Sequence, residues 1–250
     1  MKAVILAAGY ATRLYPLTLN TPKCLLPVAG KTILDHLCEK LNASKESDEI
    51  IVITNAKFYR QLCEWQEKTR LGIPVRILND RTLSNDTRLG AIGDLGFAIR
   101  KCGLETDILM LASDNLFDSG FNDFLSFSKN HKGAVNIALY DIQDARLASK
   151  KFGVVEIDAS SEVVALEEKP ERPRSSYIGM GVYHFPKDSL RFVNEYLSGE
   201  AAKDAPGYYI QWLLGKVKIF GFLFQGLWYD IGNLSALEEA NTAFARKVSN

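Results

Sequence analysis

The sequence offers little to metal-binding or redox chemistry of the histidine and cysteine kind. Its three histidines, His36, His131 and His184, stand far apart, and its four cysteines, Cys24, Cys38, Cys63 and Cys102, include no C-x-x-C pair. A tetrahedral zinc site wants such ligands at short, paired spacings, so none is expected, and the thiols read as reduced and buried. Net charge is lacking too, because 30 basic residues balance 30 acidic ones. Without a global field to gather polyanions, neither nucleic acid nor a membrane is an expected partner, and phosphate chemistry must rest on a local cluster. Long apolar runs are also missing. Nothing approaches the roughly 18 residues of a membrane span. The apolar start, residues 1–8, gives way within a few positions to polar Thr12 and Arg13. It reads as a buried strand rather than the core of a secretion signal, and a cytoplasmic protein is expected.

What the chain does contain is a core-forming composition, with 47% hydrophobic residues in 250. Short β-rich runs at residues 3–7, 49–54, 75–78, 108–111 and 134–140 alternate with helical spacing at 33–41 and 88–102. That alternation predicts an α/β fold with a Rossmann-like, doubly wound, mostly parallel mixed sheet. From about Phe152 the texture changes. Residues 152–158 and 163–169 read as two antiparallel strands around a turn at 159–162, and further strands are expected at 179–185 and 216–224. The expectation is one domain over 1–250 with a small antiparallel extension, its halves being 1–140 and 141–250, and with a hinge near 141–151.

The first strand runs straight into Gly9-Tyr10-Ala11-Thr12-Arg13. This places the loop at the carboxyl end of a strand, where open α/β sheets bind ligands. Leu6 leads into small Ala7, Ala8, Gly9 and Ala11, which let backbone N–H groups approach a triphosphate, and Arg13 and Lys23 then supply a forked and a point cation. Neither G-x-G-x-x-G nor G-x-x-x-x-G-K-[ST] is present. Pro16 and Pro22 stop the loop from continuing as one helix.

The run Leu6-Ala7-Ala8-Gly9-Tyr10-Ala11-Thr12-Arg13-Leu14-Tyr15-Pro16-Leu17-Thr18, followed by Pro22-Lys23-Cys24-Leu25-Leu26-Pro27-Val28, resembles the signature of sugar-phosphate nucleotidyltransferases, including those of thymidylyltransferase type. The resemblance implies that Arg13 and Lys23 are catalytic. It also implies that Leu6, Ala8, Gly9, Tyr10, Ala11 and Thr12 help bind a nucleoside triphosphate in the first half. The family's loop is G-x-G-T-R, and Ala11 stands where its second glycine falls. Two further matches imply a Mg²⁺ site: Ser113-Asp114 for the family's G-D, and Trp228-Tyr229-Asp230-Ile231-Gly232 for its W-x-D-x-G. Asp114 would hold metal and nucleotide, and Asp230 metal. Read without the resemblance, Asp114 caps the following segment and Asp230 sits in a turn.

Glu168-Lys169-Pro170 resembles the family's E-K-P element, which implies that Lys169 holds the phosphate of a sugar 1-phosphate and Glu168 its sugar, in the acceptor-binding second half. Gly153 and Gly179 match positions lining the sugar pocket, with Met180 where relatives often have threonine. Arg88 to Asp94 corresponds in position to the segment facing base and ribose, and Gly90 is either a base-reading backbone group or a helix N-terminus. The expected reaction joins a nucleoside triphosphate to a sugar 1-phosphate and releases pyrophosphate; a homodimer is compatible with it. Two alternatives stay open. One is a cytidylyltransferase acting on phosphocholine or another non-sugar phosphate, for which Trp212, Trp228 and Tyr229 could form an aromatic box. The other is a non-catalytic sensor of nucleotide or sugar phosphate.

Overall fold

The computed structural model describes residues 1–199 and 202–248. In chain order its first elements are strand β1 (Lys2–Leu6), the short strands β2 (Pro27–Val28) and β3 (Lys31–Thr32), helix α1 (Ile33–Ser44), strand β4 (Glu49–Thr54), helix α2 (Tyr59–Lys68) and strand β5 (Val75–Asn79). Helix α3 (Ala91–Cys102), strands β6 (Ile108–Ala112) and β7 (Asn115–Phe117), helix α4 (Asn122–Asn130) and strand β8 (Val135–Asp141) follow. The rest are strands β9 (Gly153–Ile157), β10 (Val163–Glu168) and β11 (Tyr177–Phe185), helices α5 (Arg191–Ser198) and α6 (Pro206–Leu213), strands β12 (Ile219–Leu223) and β13 (Trp228–Asp230), and helix α7 (Leu234–Val248).

These elements form an α/β fold divided into two compact units. The first comprises Met1–Arg88, Leu111–Gly120 and the described segment from Gly226; the second comprises Leu89–Met110 and Phe121–Gln225. Both units are discontinuous in sequence, whereas the halves expected at 1–140 and 141–250 were consecutive. The segment 141–151, expected as a hinge, lies wholly inside the second unit.

In the first unit β1, β4 and β5 are parallel neighbours, with Val4 opposite Ile51 and Val52 opposite Ile77. Their continuous apolar runs suit a sheet covered on both faces, and Ala3, Val4, Ile5 and Ile50 to Ile53 are fully buried. Helix α1 starts at a reciprocal capping box. The Thr32 hydroxyl accepts from the Asp35 amide at 3.0 Å, and the Asp35 carboxylate accepts from the Thr32 amide at 3.0 Å. Its buried stripe is Ile33, Leu34, Leu37, Cys38 and Leu41, the spacing of one helical face. The antiparallel pair β7 and β13 belongs to this unit, with Asp230 opposite Asn115.

The second unit is largely antiparallel. Strand β11 pairs with β8 and β9, and β9 with β10, while β12 runs parallel to β8. The β9–β10 turn is held by Asp158, whose Oδ1 accepts from the Ser160 and Glu162 amides. The antiparallel texture expected after Phe152 is thus present. Helices α5 and α6 share an aromatic cluster in which the Tyr196 and Tyr209 rings lie 5.0 Å apart and Tyr196 and Trp212 5.3 Å.

Candidate functional site

Each side chain singled out in the first unit is fixed by a buried neighbour in sequence. Leu14, next to Arg13, and Ile231, next to Asp230, belong to one core cluster with Leu26, Val28, Ile33, Leu116, Ala240 and Phe244. Cys24, next to Lys23, is buried, and burial pushes its thiol up to about 12. It is therefore an inert packing residue, as the sequence suggested. Alternation of packed and exposed positions leaves Thr12 and Arg13 at the surface while their backbone is pinned.

The exit of β1 is tied down on both sides. The Ala7 amide donates to the Ile53 carbonyl at 2.8 Å, and the fully buried Asn55 donates through Nδ2 to the Ala8 carbonyl at 2.8 Å. Gly9 is exposed, and a methyl built on it would meet no atom within 4 Å. Its value is the open space over the backbone. Tyr10 is buried against Phe58, with ring centroids 6.4 Å apart, and burial raises its phenol pKa. Only its backbone can therefore serve a ligand beside Gly9.

Ala11 explains why the family signature has glycine there. It adopts the left-handed conformation, φ 47° and ψ 43°, at the head of a 3₁₀ turn over Thr12–Leu14. Its carbonyl accepts from the Leu14 amide at 3.0 Å and from the buried Thr18 hydroxyl at 2.7 Å, and its methyl packs on the core cluster. The left-handed conformation costs an L-residue roughly 1–2 kcal/mol. A glycine would recover that but lose roughly 0.8 kcal/mol of methyl burial and roughly 0.4–1 kcal/mol through the unfolded chain. The terms nearly cancel, so alanine is tolerated. Ala11→Gly should leave stability within about 1 kcal/mol, whereas Ala11→Val should cost more than about 1 kcal/mol. Urea unfolding checks both, and a neutral valine variant would remove the conformational explanation.

Strand pairing assembles the charged groups. The Ser113 amide donates to the Leu6 carbonyl at 3.2 Å, and the Ile231 amide donates to the Asp114 carbonyl at 2.9 Å. With Asp230 opposite Asn115 in register, the two aspartates stand on neighbouring segments one position apart. Lys23 Nζ lies 2.6 Å from Asp114 Oδ2, with the two side chains only 17% and 29% exposed. A methyl built on Gly232 would lie 3.6 Å from Asp230 Oδ2 and 3.9 Å from Arg13 Nη2, so these two charges flank one point. The first unit therefore brings Gly9, Ala11, Arg13, Lys23, Asp114 and Asp230 together at the carboxyl end of β1. Ser113, which stands for the family's glycine, is not among the left-handed residues and needs no glycine geometry.

Sequence reasoning missed Asn115. Buried beside Asp114, it donates through Nδ2 to Asp114 Oδ1 at 3.3 Å and accepts from Trp228 Nε1 at 2.8 Å. It links the tryptophan of W-Y-D-I-G to the orientation of Asp114, which gives Trp228 a structural task. Tyr229 packs on Phe244 at 6.4 Å, and Trp212 sits in the α5–α6 aromatic cluster. All three candidates for an aromatic box are engaged elsewhere.

In the second unit Glu168 ends β10 opposite Gly153 at the start of β9. Its side chain is 7% exposed, and Oε1 lies 3.7 Å from Lys169 Nζ. Burial raises the carboxyl pKa, and the Lys169 charge opposes that shift. Lys169 itself is left-handed, φ 52°, its amide donating to the Phe152 carbonyl at 3.1 Å and its side chain 48% exposed. Because burial penalises ionised Glu168, the proton it would bind stabilises the fold at low pH, and that contribution is lost as pH rises through its raised pKa. Glu168→Gln should therefore raise the melting temperature near pH 8, with the gain shrinking as pH falls into the usual carboxylate range; a pH-independent gain would contradict this.

Strand register sets Gly179 beside that group, because β11 pairs antiparallel with β9 at Ile178 and Val154, next to Gly153. Gly179 lies within β11, where a methyl would be 3.8 Å from the Tyr183 hydroxyl, and Met180 beside it is buried in the core. Gly90, φ 78°, is the N-cap of α3, and a methyl there would lie 2.5 Å from the Lys203 carbonyl. The Ala91 and Ile92 amides donate to the Asp204 and Lys203 carbonyls at 3.3 and 3.2 Å. Gly90 stands at a helix N-terminus, and the two amides that follow it are already bonded.

Residues 2–247 match the nucleotidyl transferase family, to which the chain belongs. Among its relatives, a bifunctional protein GlmU of Methanocaldococcus jannaschii is 28% identical over 251 residues, covering 100% of this chain and 55% of that protein. A glucose-1-phosphate thymidylyltransferase of Streptomyces antibioticus is 28% identical over 258 residues, covering 96% of this chain and 65% of its own length. The chain thus spans 55% and 65% of the length of these two relatives. A Bacillus anthracis structure, provisionally named a glucose-1-phosphate thymidylyltransferase and in complex with sucrose, superposes with a TM-score of 0.82 at 26% identity, covering 98% of this chain and 95% of the other. Among the described residues no helix is long and apolar enough to cross a membrane.

Proposed function

We propose that this chain transfers a nucleotidyl group from a nucleoside triphosphate to a sugar 1-phosphate, releasing pyrophosphate. The observation that carries the reading is the charged group at the exit of β1: Lys23 on Asp114 at 2.6 Å, with Arg13 and Asp230 flanking Gly232. It combines cations for phosphate oxygens with two carboxylates, next to a loop whose glycine leaves its backbone open. The family membership and the glucose-1-phosphate named for the Streptomyces relative support the sugar 1-phosphate as acceptor.

An already ionised oxygen of the acceptor phosphate attacks the α-phosphorus, a new P–O bond forms, and the bond to the β-phosphate oxygen breaks as pyrophosphate leaves. The nucleophile has no proton to lose, so no general base is required, and catalysis rests on positioning and charge neutralisation. Arg13 and Lys23 stabilise the negative charge growing on the transferring and leaving phosphates, and Lys169 neutralises the acceptor phosphate. Asp114 and Asp230 suit Mg²⁺ as a donor set, two hard oxygen ligands that leave other positions to water and phosphate. They would hold the ion, which when bound screens phosphate charge.

The test is a matrix of the common nucleoside triphosphates against a panel of sugar 1-phosphates and phosphocholine, with pyrophosphate release as readout. Turnover only with phosphocholine, or binding without turnover, would replace this reading with one of the other two.

A further inference from the structure

The space around Glu168 is shaped by two glycines from different elements of the second unit. Gly153 faces it across the β9–β10 pair, and α6 lays Gly207, its second residue, against the same carboxylate. A methyl on Gly153 would lie 2.8 Å from Glu168 Oε2. A methyl on Gly207 would lie 1.8 Å from that oxygen, 2.9 Å from Cδ and 3.5 Å from Cβ. No real side chain tolerates the first two distances, so alanine at 207 and the present place of the carboxylate are mutually exclusive.

Local structure gives no other reason for glycine at 207. Its backbone is helical, not left-handed, and it is buried in the first turn of α6. Alanine is the better helix former there, by up to roughly 1 kcal/mol. The missing methyl is explained by what occupies its place, the Glu168 carboxyl group.

We propose that Gly207 is a positioning residue for acceptor recognition: by lacking a side chain it seats the Glu168 carboxylate where it meets the sugar. The inference rests on Glu168 as the acceptor contact in the proposed reaction. The group that must yield in Gly207→Ala is the tip of a side chain, not backbone, so the variant folds with Glu168 turned out of its slot. The same movement changes the distance between the carboxylate and Lys169, now 3.7 Å. The effect therefore falls on the acceptor.

Kinetics with the nucleoside triphosphate and sugar 1-phosphate that turn over fastest test the proposal. Gly207→Ala should raise the acceptor KM at least tenfold, leave the triphosphate KM within twofold, and keep or raise the melting temperature. Glu168→Asp supplies a coupling test, because the shorter side chain withdraws from the methyl position. In that background Gly207→Ala should change the acceptor KM less than threefold. Full multiplication of the two effects, or a Gly207→Ala enzyme with a normal acceptor KM, overturns the positioning role. Glu168→Ala separates the premises. A normal acceptor KM there removes Glu168 from the acceptor site and the inference with it, whereas a raised KM beside a normal Gly207→Ala removes Gly207 alone.

Discussion

Lys23→Ala is expected to lower turnover by on the order of a hundredfold or more, the usual loss when a transition-state charge contact is removed. Lys23 is not a freely waving surface lysine. The 3₁₀ turn Lys23–Leu25 is anchored by buried Cys24, and the ammonium rests 2.6 Å from Asp114 Oδ2. It is thus held near the carboxylates before any substrate arrives, so little ordering remains to be done in the reaction. Lys23→Arg should not restore the rate, because the larger planar guanidinium spreads its charge and places its donors differently from the compact ammonium now 2.6 Å from Asp114 Oδ2. The check is kcat by pyrophosphate release at a temperature where circular dichroism shows the variant folded. A folded Lys23→Ala enzyme within fivefold of the parent rate would remove Lys23 from the mechanism.

Asp114→Asn and Asp230→Asn form the second large expectation. Each replaces a carboxylate, proposed above as a Mg²⁺ ligand, with an isosteric neutral amide, so the fold and the β7–β13 pairing should persist while Mg²⁺ should be held far less tightly. Turnover should fall by about a hundredfold in each. The Mg²⁺ concentration giving half-maximal rate should rise well above that of the parent. Groups that act on one ion fail together, so the double variant should be little slower than the worse single one. A Mg²⁺ titration of the four proteins decides the matter. Unchanged metal dependence in both single variants would leave the aspartates with only the structural roles of cap and turn.

The legible parts of the fold share a physical reason. Strand β4, residues Glu49–Thr54, is an uninterrupted apolar run between polar ends and falls where the sequence predicts it. Helix α2 went unread, although Phe58, Leu62 and Trp65 recur at helical spacing on its buried side, because the positions between them are mostly polar. Helix α7 had a signal that went unread: Leu237, Ala240 and Phe244 recur at helical spacing and face the core cluster. The interleaving of the units was not legible at all. One boundary falls inside β6, between Met110 and Leu111, where buried apolar residues continue without proline, glycine or polar linker.

The site shows the same pattern. Ionic residues inside distinctive motifs, such as Arg13, Lys23, Asp114 and Asp230, announce themselves through their neighbours. Asn115 and Gly207 do not, because one matters for two hydrogen bonds and the other for a missing methyl, and neither property has a sequence signature. Tyr10 shows a different gap between letter and role, since its ring packs on Phe58 and leaves only its backbone facing the loop.

The brace supplied by α7 carries a consequence for how the protein breathes. Asn241 Oδ1 accepts from the Ala29 amide at 2.8 Å, and Ala240 and Phe244 share their core cluster with Leu14, Leu26 and Ile231. Detaching this helix would strip packing from residues directly adjoining Arg13 and Asp230, so fraying of α7 and loosening of the Gly9–Arg13 loop amount to one opening event. A ligand gripping that loop must then slow deuterium uptake in α7, well away from any atom it touches.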